Sequence, residues 1–322
     1  MLLGVAIGDS LGNTSESMLP AKRHTLYGEI RDYQINRHAH EAPFNFPSDD
    51  TQMTFWALRS ILAEDGVVPE SIAQAFSRGH IYGIGSAVRA FLGAYKVGTP
   101  WYKSGPEKAG NGALMRVSPL ILPALISGKD ELLADIALGS MLTHNDSASI
   151  SACLAFGIML RELLVAATVP SPKWWASRYA ELASKFETPT KYMPRGGVYT
   201  NYSGTLSGFV SGTVSKALAR NLCVEEACAG WCSGAFLLET VPSALYILAR
   251  HAEDPEEALV RAVNDTKDND TIAAIVGAAI GALHGASSFP RRWIEGLSGR
   301  TTESDIGAVQ SLAKQAAMRF GS

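Results

Sequence analysis

Apolar residues recur along the chain at intervals of three and four positions, which is the spacing of one face of an α-helix. Two segments illustrate the pattern: Phe55, Leu58, Ile61 and Leu62, and then Leu132, Leu133, Ile136 and Leu142. Alternation of apolar and polar residues, which marks half-buried strands, is scarce. The pattern therefore predicts an all-α protein.

Proline and glycine interrupt this helical pattern at intervals and divide it into short segments. The breaks lie at Val68-Pro69, Gly98-Thr99-Pro100, Ser127-Gly128, Val169-Pro170-Ser171-Pro172, Pro194-Arg195-Gly196-Gly197 and Phe289-Pro290. We expect a dozen or more short helices. The chain has 322 residues, single cores extend to roughly 250–300 residues, and no repeat or low-complexity stretch divides it. We therefore predict one domain over residues 1–322.

The longest irregular stretch runs from Tyr27 to Pro47 and contains several aromatic residues. Loops of more than about 12–15 residues are commonly functional. This loop leads directly into the acidic sequence Ser48-Asp49-Asp50-Thr51, where a lid or a substrate wall would be useful. We predict that it forms part of a binding site.

Two segments carry glycine at every fourth position: Gly4, Gly8 and Gly12, and then Gly277, Gly281 and Gly285. On a helix this spacing leaves a bare stripe that another backbone can approach closely. We expect the two segments to lie centrally and to pack against each other. The second stripe overlaps Ile272 to Leu283, an apolar window shorter than the roughly 20 residues that cross a bilayer, so we predict a core helix.

Composition narrows the possible functions. Hydrophobic residues make up 47% and charged residues 18%, as in folded globular proteins. A net charge of −3 and a pI near 6.2 offer no basic surface for nucleic acid. The N-terminal sequence lacks the basic and apolar regions of a signal peptide, and the four cysteines lack the spacing of structural zinc sites. We expect a cytoplasmic protein with reduced thiols and no membrane partner.

Two similar acidic clusters precede predicted helices: Ser48-Asp49-Asp50-Thr51 and Asp268-Asn269-Asp270-Thr271. Either cluster alone is explained by helix capping and by the positive end of the helix dipole. Two clusters in one cleft, however, would repel each other unless cations offset their charge. Carboxylate and hydroxyl oxygens suit Mg²⁺, Mn²⁺ or Ca²⁺ better than zinc. The pair therefore predicts a site for two divalent cations that hold substrate and orient water.

Five short blocks follow one another along the chain: Gly8-Asp9-Ser10-Leu11-Gly12 with Glu16, Ser48-Asp49-Asp50-Thr51, Gly110-Asn111-Gly112 with Met115-Arg116, Thr143-His144, and Asp268-Asn269-Asp270-Thr271. In this order they resemble the ADP-ribosylglycohydrolase family, which includes the dinitrogenase reductase activating glycohydrolases of bacteria. Each block alone is weak, but together they are specific and extend over nearly the whole chain. The resemblance implies an all-α orthogonal bundle with two Mg²⁺ or Mn²⁺ ions in a cleft, and a hydrolase that cleaves the glycosidic bond to ADP-ribose.

The resemblance also implies roles for individual residues. The metal ligands it implies are Ser48, Asp49, Asp50, Asp268, Asp270 and Thr271. The catalytic residues are Glu16 and Asp50, with Glu16 as the general base, since a carboxylate near two cations can deprotonate the attacking water. The substrate-binding residues are Gly110, Asn111, Gly112, Met115 and His144, where glycine permits close approach of the backbone to the ligand.

One residue departs from the family pattern. Lys108 stands where the arginine-specific members carry an acid, so the linkage remains open between Arg, Ser and other side chains, and the substrate between an ADP-ribosylated protein and a small molecule that contains ADP-ribose. Two other functions also fit the residues. A dimetal phosphohydrolase could use the same ion pair to hold a phosphoryl group, and a non-catalytic ADP-ribose-binding protein could keep the fold without the reaction.

Overall fold

The structure is a computed structural model that describes residues 1–35, 46–127 and 129–321. These residues form 17 α-helices and no β-strand, and two isolated β-bridges are the only extended pairings among them. The prediction of an all-α protein with more than a dozen helices is confirmed.

The helices are named α1 to α17 in chain order. Their bounds are α1 Leu2–Gly12, α2 Pro20–Tyr27, α3 Asp49–Glu64, α4 Pro69–Arg78, α5 Ser86–Lys96, α6 Trp101–Ser104, α7 Ala124–Ser127, α8 Lys129–Met141, α9 Ser147–Leu164, α10 Pro172–Ala183, α11 Leu206–Ala219, α12 Val224–Trp231, α13 Leu237–His251, α14 Pro255–Asp265, α15 Asn269–His284, α16 Arg291–Gly296 and α17 Ala308–Phe320. Of the predicted breaks, Gly128 lies outside the described residues. The others fall between helices or at a first helical residue, as for Pro69 and Pro172, because proline at that position loses no hydrogen bond.

The predicted loop from Tyr27 to Pro47 is only partly described, because residues 36–45 lie outside the described residues. The described parts contain no helix after Tyr27, which ends α2. Two aromatic residues of these parts, Tyr33 and Phe46, pack against the rest of the protein. The Tyr33 hydroxyl donates to the carbonyl of Trp293 at 2.9 Å, and the buried ring of Phe46 meets that of Tyr82 edge to face.

Helices α1 and α15 contact each other backbone to backbone, as the glycine spacing predicts. A Cβ atom on Gly8 would lie 2.2 Å from the carbonyl oxygen of Ala273, and one on Gly277 would lie 2.1 Å from the carbonyl oxygen of Gly4. Gly285 does not belong to this stripe. It follows the end of α15 with a φ of 80° and has no neighbour that a Cβ would touch, so it terminates the helix instead.

The two helices run antiparallel, so the end of α1 meets the start of α15. A Cβ on Gly12, the last residue of α1, would lie 2.6 Å from the Cα of Asp270. The chain that follows α1, including Glu16, is therefore brought against the second acidic cluster. The buried residues of α15 run from Asn269 to Ala282, which confirms the predicted core helix.

Helix α9 is the one described helix that is long and apolar enough to cross a membrane by length and composition. In the structure 67% of its residues are buried inside the protein. It packs against α8, α10 and α15, so its apolar surface is accounted for by the core.

The glycine contact generates a stability prediction. Gly277→Ala is expected to lower the melting temperature by several degrees, because the new methyl group would push against the backbone of α1 and overpacking costs about 1–3 kcal/mol. Differential scanning calorimetry measures the change.

The matched control is Gly93→Ala in α5, where a Cβ would meet nothing within 4 Å. Replacing a helical glycine with alanine in open space stabilises by about 0.5–1 kcal/mol, so this variant should melt at the same temperature or higher. Equal melting temperatures for the two variants would mean that the α1–α15 contact is loose.

Candidate active site

The N-terminus of α3 is capped mainly by a residue of another helix. Asp9 of α1 accepts hydrogen bonds from the backbone N–H groups of Ser48, at 3.0 Å, and Thr51, at 3.1 Å, and from the Thr51 hydroxyl. The Ser48 hydroxyl lies 2.8 Å from the other oxygen of Asp9. Because Asp9 satisfies these amides, the carboxylates of Asp49 and Asp50 are not needed as caps.

Asp50 lies in the first turn of α3 and faces the start of α15. Its Oδ2 atom lies 3.1 Å from the Ser48 hydroxyl and 3.3 Å from the Thr271 hydroxyl. Its Oδ1 atom is buried and has no hydrogen-bond partner among the described residues. A buried polar atom without a partner costs free energy, so this oxygen is well suited to bind a cation.

The second cluster is not a simple cap either. Asp268 occupies the N-cap position of α15, but its side chain accepts no hydrogen bond from the backbone of that helix. Its Oδ2 atom instead accepts from the Asn111 side chain at 2.6 Å. Asn269, the uncharged residue of the cluster, donates to the Gly12 carbonyl and the Ser15 hydroxyl, both at 3.0 Å, and so holds the end of α1 in place.

The carboxylates form two groups that share Asp270. Oxygen atoms of Asp9, Asp50 and Asp270 lie within 4.8 Å of one another, and so do oxygen atoms of Glu16, Asp268 and Asp270. A carboxylate common to two groups could contribute to holding both ions of a two-metal site. Both oxygens of Asp9 already accept hydrogen bonds, so Asp9 supports the first group rather than leading it.

Burial and mutual repulsion destabilise the charged forms of these side chains. Burial raises the pKa values of Asp49, Asp50 and Asp270 well above their ordinary range, and neighbouring carboxylates raise them further. Burial also raises the pKa of Asp268 to about 7, although the hydrogen bond from Asn111 opposes the shift. In the described part of the chain, no Lys or Arg forms an ion pair with these aspartates.

The donor set fits divalent cations. It consists of carboxylate and hydroxyl oxygens, which Mg²⁺ and Mn²⁺ prefer, and the two groups contain neither His nor Cys. Cations would also offset the repulsion that raises the pKa values. The six predicted ligands converge at this position: Ser48, Asp49, Asp50, Asp268, Asp270 and Thr271.

Glu16 approaches the same site from α1. It follows the 3₁₀ turn Asn13–Ser15, and one of its carboxylate oxygens lies within 4.8 Å of carboxylate oxygens of Asp268 and Asp270. The next residue, Ser17, has a φ of 66°, which is uncommon for a residue other than glycine. The backbone therefore adopts an unusual turn to hold Glu16 at this position.

A buried arginine holds the Glu16 turn. The Arg23 guanidinium donates to the Ser15 hydroxyl at 2.9 Å and to the Met18 carbonyl at 3.0 Å, on either side of Glu16. It also donates to the Thr266 carbonyl at 2.7 Å, in the segment that leads into α15. Arg23 thus ties the Glu16 turn to the second acidic cluster.

A cavity of about 390 Å³ opens beside the acidic residues, within the volume range of small-molecule sites. Its lining includes the carboxylates of Glu16, Asp49, Asp268 and Asp270, together with Thr271. All five residues predicted to bind substrate also line it: Gly110, Asn111, Gly112, Met115 and His144. Ser48 and Asp50 are buried and lie behind the lining. The structure thus brings the predicted site residues together around one cavity.

The segment Gly110–Gly112 is more than a surface for a ligand. A Cβ on Gly110 would lie 3.1 Å from His144 Nε2, and one on Gly112 would lie 2.8 Å from His144 Cε1. The two glycines therefore make room for the imidazole ring, a reason that the sequence did not indicate. The Asn111 side chain donates to Asp268 and, at 3.0 Å, to the Thr240 hydroxyl, so it also supports the acidic cluster.

One further cavity residue, Arg195, was not predicted from the sequence. The Arg195 guanidinium carbon lies 4.9 Å from the centre of the Phe236 ring, and two of its nitrogens each lie 2.9 Å from an oxygen of the buried Glu239. In the sequence Arg195 stands in a predicted chain break, so no pattern pointed to it. Lys108 also lines the cavity and donates to the Ser86 hydroxyl at 3.1 Å.

Asp9 belongs to the first sequence block, but no role was assigned to it from the sequence. The sequence nevertheless contains a feature that points to one. It is fully buried on α1, between Ile7 and Leu11, in a helix whose other side chains from Leu2 onward are almost all apolar. A carboxylate in such a helix needs buried hydrogen-bond donors. The signal was a buried charge on a predicted core helix.

Two curated relatives match most of this chain. The ADP-ribosyl-[dinitrogen reductase] glycohydrolase of Rhodospirillum rubrum is 25% identical over 299 residues, which cover 92% of this chain and 88% of that protein. The ADP-ribosylarginine hydrolase Tri1 of Serratia proteamaculans is 23% identical over 312 residues, covering 92% of this chain and 74% of that protein. Both similarities extend across the acidic clusters and the cavity segments rather than one part of the fold.

A solved structure described as an ADP-ribosylglycohydrolase-related protein complex shares the fold, with a TM-score of 0.68 and 23% identity. The similarity covers 99% of this chain and 95% of that one. The sequence profile of the ADP-ribosylglycohydrolase family matches residues 1–321, a range that contains all five blocks. The chain therefore belongs to the ADP-ribosylglycohydrolase family.

Proposed function

We propose that this protein is a metal-dependent hydrolase that cleaves the glycosidic bond to ADP-ribose, and that it removes ADP-ribose from a modified protein side chain. The main support is the pair of carboxylate groups that share Asp270 on the wall of a ligand-sized cavity. Membership of the family supports ADP-ribosyl hydrolase activity in general, as do the names of both relatives.

The metal site would be formed from both helix N-termini. Ser48, Asp49 and Asp50 would hold two divalent cations, Mg²⁺ or Mn²⁺, from one side, and Asp268, Asp270 and Thr271 from the other. When bound, such ions neutralise the carboxylates and hold hydroxyl oxygens of the sugar. The unpartnered Oδ1 atom of Asp50 supports its place in this set.

Glu16 is the residue that we assign as general base. Its carboxylate lines the cavity beside the second acidic group, where it can accept a proton from the attacking water. Arg23 keeps the turn on which it lies rigid. Arg195 and Phe236 also line the cavity, and the guanidinium over the Phe236 ring offers a flat surface suited to a planar base such as adenine.

Lys108 affects which linkage between ADP-ribose and a side chain the site can accept. Lys108 lines the same cavity as Glu16, with its ammonium group bonded to the Ser86 hydroxyl, and a positive charge there disfavours a substrate whose leaving group is itself a cationic guanidinium. We therefore favour a neutral linkage, such as that to Ser, over the arginine linkage named for one relative.

Peptides that carry ADP-ribose on Arg, Ser, Thr or Asp test this function, with free ADP-ribose and inorganic phosphate measured as products. We expect ADP-ribose to be released, fastest from a peptide other than the Arg-linked one. Phosphate release would favour a phosphohydrolase instead, and binding of every peptide without turnover would favour a non-catalytic ADP-ribose-binding protein.

The metal site predicts a thermal shift. Mg²⁺ or Mn²⁺ should raise the melting temperature by several degrees, because an ion at a hundredfold excess over its Kd stabilises the folded state by about 2.7 kcal/mol per site. In the double variant Asp49→Asn with Asp270→Asn the shift should disappear. Thermal unfolding with and without the ion measures it.

The chain offers a matched control in Asp254, which caps α14 through the N–H groups of Glu256, at 3.1 Å, and Glu257, at 3.0 Å. Asp254→Asn should lower stability slightly but keep the full metal-dependent shift. If the double variant also kept that shift, the two clusters would be helix caps rather than ligands.

Glu16→Gln separates a hydrolase from a binding protein. Glutamine keeps the shape of the side chain but cannot act as a base, so turnover should fall by about 10²- to 10⁴-fold. Because this variant keeps all six assigned metal ligands, metal-dependent stabilisation and ADP-ribose affinity should stay close to those of the wild type. Calorimetric titration and ADP-ribose release from the preferred peptide provide the two measurements.

Glu64→Gln is the control for this variant. Glu64 is an exposed carboxylate at the far end of α3, where it accepts from the Ser71 hydroxyl at 2.6 Å, and its loss should change turnover less than twofold. A Glu16→Gln protein that hydrolysed the peptide within a few-fold of the wild-type rate would remove Glu16 from the mechanism.

A further inference from the structure

Arg116 is a charged residue buried without an acidic partner. Its side chain is fully inaccessible to solvent, and among the described residues no carboxylate pairs with it. The guanidinium donates to the Gly139 carbonyl at 3.0 Å and to the Thr143 hydroxyl at 2.7 Å, and it lies over the Phe76 ring. Burying a cation among neutral acceptors is costly. The hydrogen bond from Arg116 to Thr143 therefore calls for a physical explanation.

The Thr143 hydroxyl connects Arg116 to His144. It is fully buried, and its oxygen lies 2.9 Å from His144 Nδ1. A guanidinium can only donate, so the Thr143 oxygen is the acceptor in its bond with Arg116. The one hydroxyl proton of Thr143 then has a single possible acceptor among the described residues, which is His144 Nδ1.

This chain of bonds determines where the proton of His144 lies. If Nδ1 carried a proton, the Thr143 hydroxyl proton would be buried without an acceptor, which is unfavourable. Nδ1 is therefore the acceptor and Nε2 carries the hydrogen. Burial, with Arg116 and Lys108 nearby, lowers the pKa of His144 to about 3, so the ring is neutral.

The protonated nitrogen of His144 faces the ligand cavity. Nε2 lies next to Gly110 and Gly112, and His144 is one of the residues that line the cavity. No residue in the described part of the chain accepts a hydrogen bond from Nε2, which leaves it as a donor of fixed direction.

We propose that Arg116 is a positioning residue that acts through Thr143 to hold His144 as a neutral Nε2–H donor aimed at an oxygen of the bound ligand. The inference rests on the proposed function for the identity of that ligand, ADP-ribose, but not for the state of the ring.

The state of the ring is tested on the ligand-free protein by two-bond ¹H–¹⁵N NMR of histidine, with the His144 signals assigned as those missing from His144→Gln. We expect the Nε2–H tautomer near neutral pH. Thr143→Val should move the Nδ1 resonance, because that nitrogen loses its donor, whereas Thr143→Ser keeps the hydroxyl and should not. A Nδ1–H tautomer, a doubly protonated ring or an unmoved resonance in Thr143→Val would overturn the proposal.

A double-mutant cycle tests whether Arg116 acts through His144. Arg116→Met and Thr143→Val should each weaken calorimetric ADP-ribose binding by about two- to tenfold, the effect of one hydrogen bond. In a His144→Ala background neither should weaken it further. Independent, multiplicative losses would mean that Arg116 is only a structural residue, and Thr143→Val supplies the result if Arg116→Met does not fold.

The two proposals fail in different ways. If the wild-type protein does not bind ADP-ribose at all, the proposed function fails, while the NMR result still decides the state of His144. If ADP-ribose binds but the cycle is additive, the proposed function stands and the role of Arg116 is refuted.

Discussion

The contact between the backbones of α1 and α15 is the constraint on which the site depends. It exists because Gly4, Gly8 and Gly277 carry no Cβ, and a side chain at any of them would collide with the facing helix. Since the helices are antiparallel, closing this contact brings the end of α1 against the first turn of α15. Asp9 and the Glu16 turn are thereby carried to Asp270 without any long loop. A rigid helix pair positions catalytic groups more precisely than loops would.

That arrangement concentrates negative charge, and no Lys or Arg of the described residues forms an ion pair with the aspartates of the site. Among the described residues two arginines are fully buried, Arg23 and Arg116, and both donate to carbonyl and hydroxyl oxygens instead of to the aspartates of the site. Direct ion pairs would occupy the carboxylate oxygens and compete with ligands. The cost of the uncompensated carboxylates is visible in the raised pKa values of Asp50 and Asp270, and a divalent cation is the group that would relieve it.

The fold could be predicted from the sequence because its signals are local or periodic. Three- and four-residue spacing indicated helices, and the glycine stripes indicated which two helices touch. The acidic clusters were recognisable because Asp49 and Asp270 stand in matching sequences. Features that depend on tertiary contacts were not predicted. Asp9 caps α3 by accepting from the N–H groups of Ser48 and Thr51, which lie 39 and 42 residues further along the chain. Arg195 lines the cavity and is held there by its hydrogen bonds to Glu239. Nothing in the local sequence around Arg195 distinguishes it from a solvated loop residue.

Neighbouring residues in one motif can therefore serve different purposes. Within Gly110–Gly112 the flanking glycines accommodate the His144 ring, while the Asn111 side chain holds Asp268. A single short segment thus supports both His144, the proposed ligand donor, and the second acidic cluster. Displacement of this segment would alter both at once, because the ring and the carboxylate share it as a support. The short motif is specific because its two glycines meet a steric requirement and its asparagine meets a hydrogen-bonding requirement.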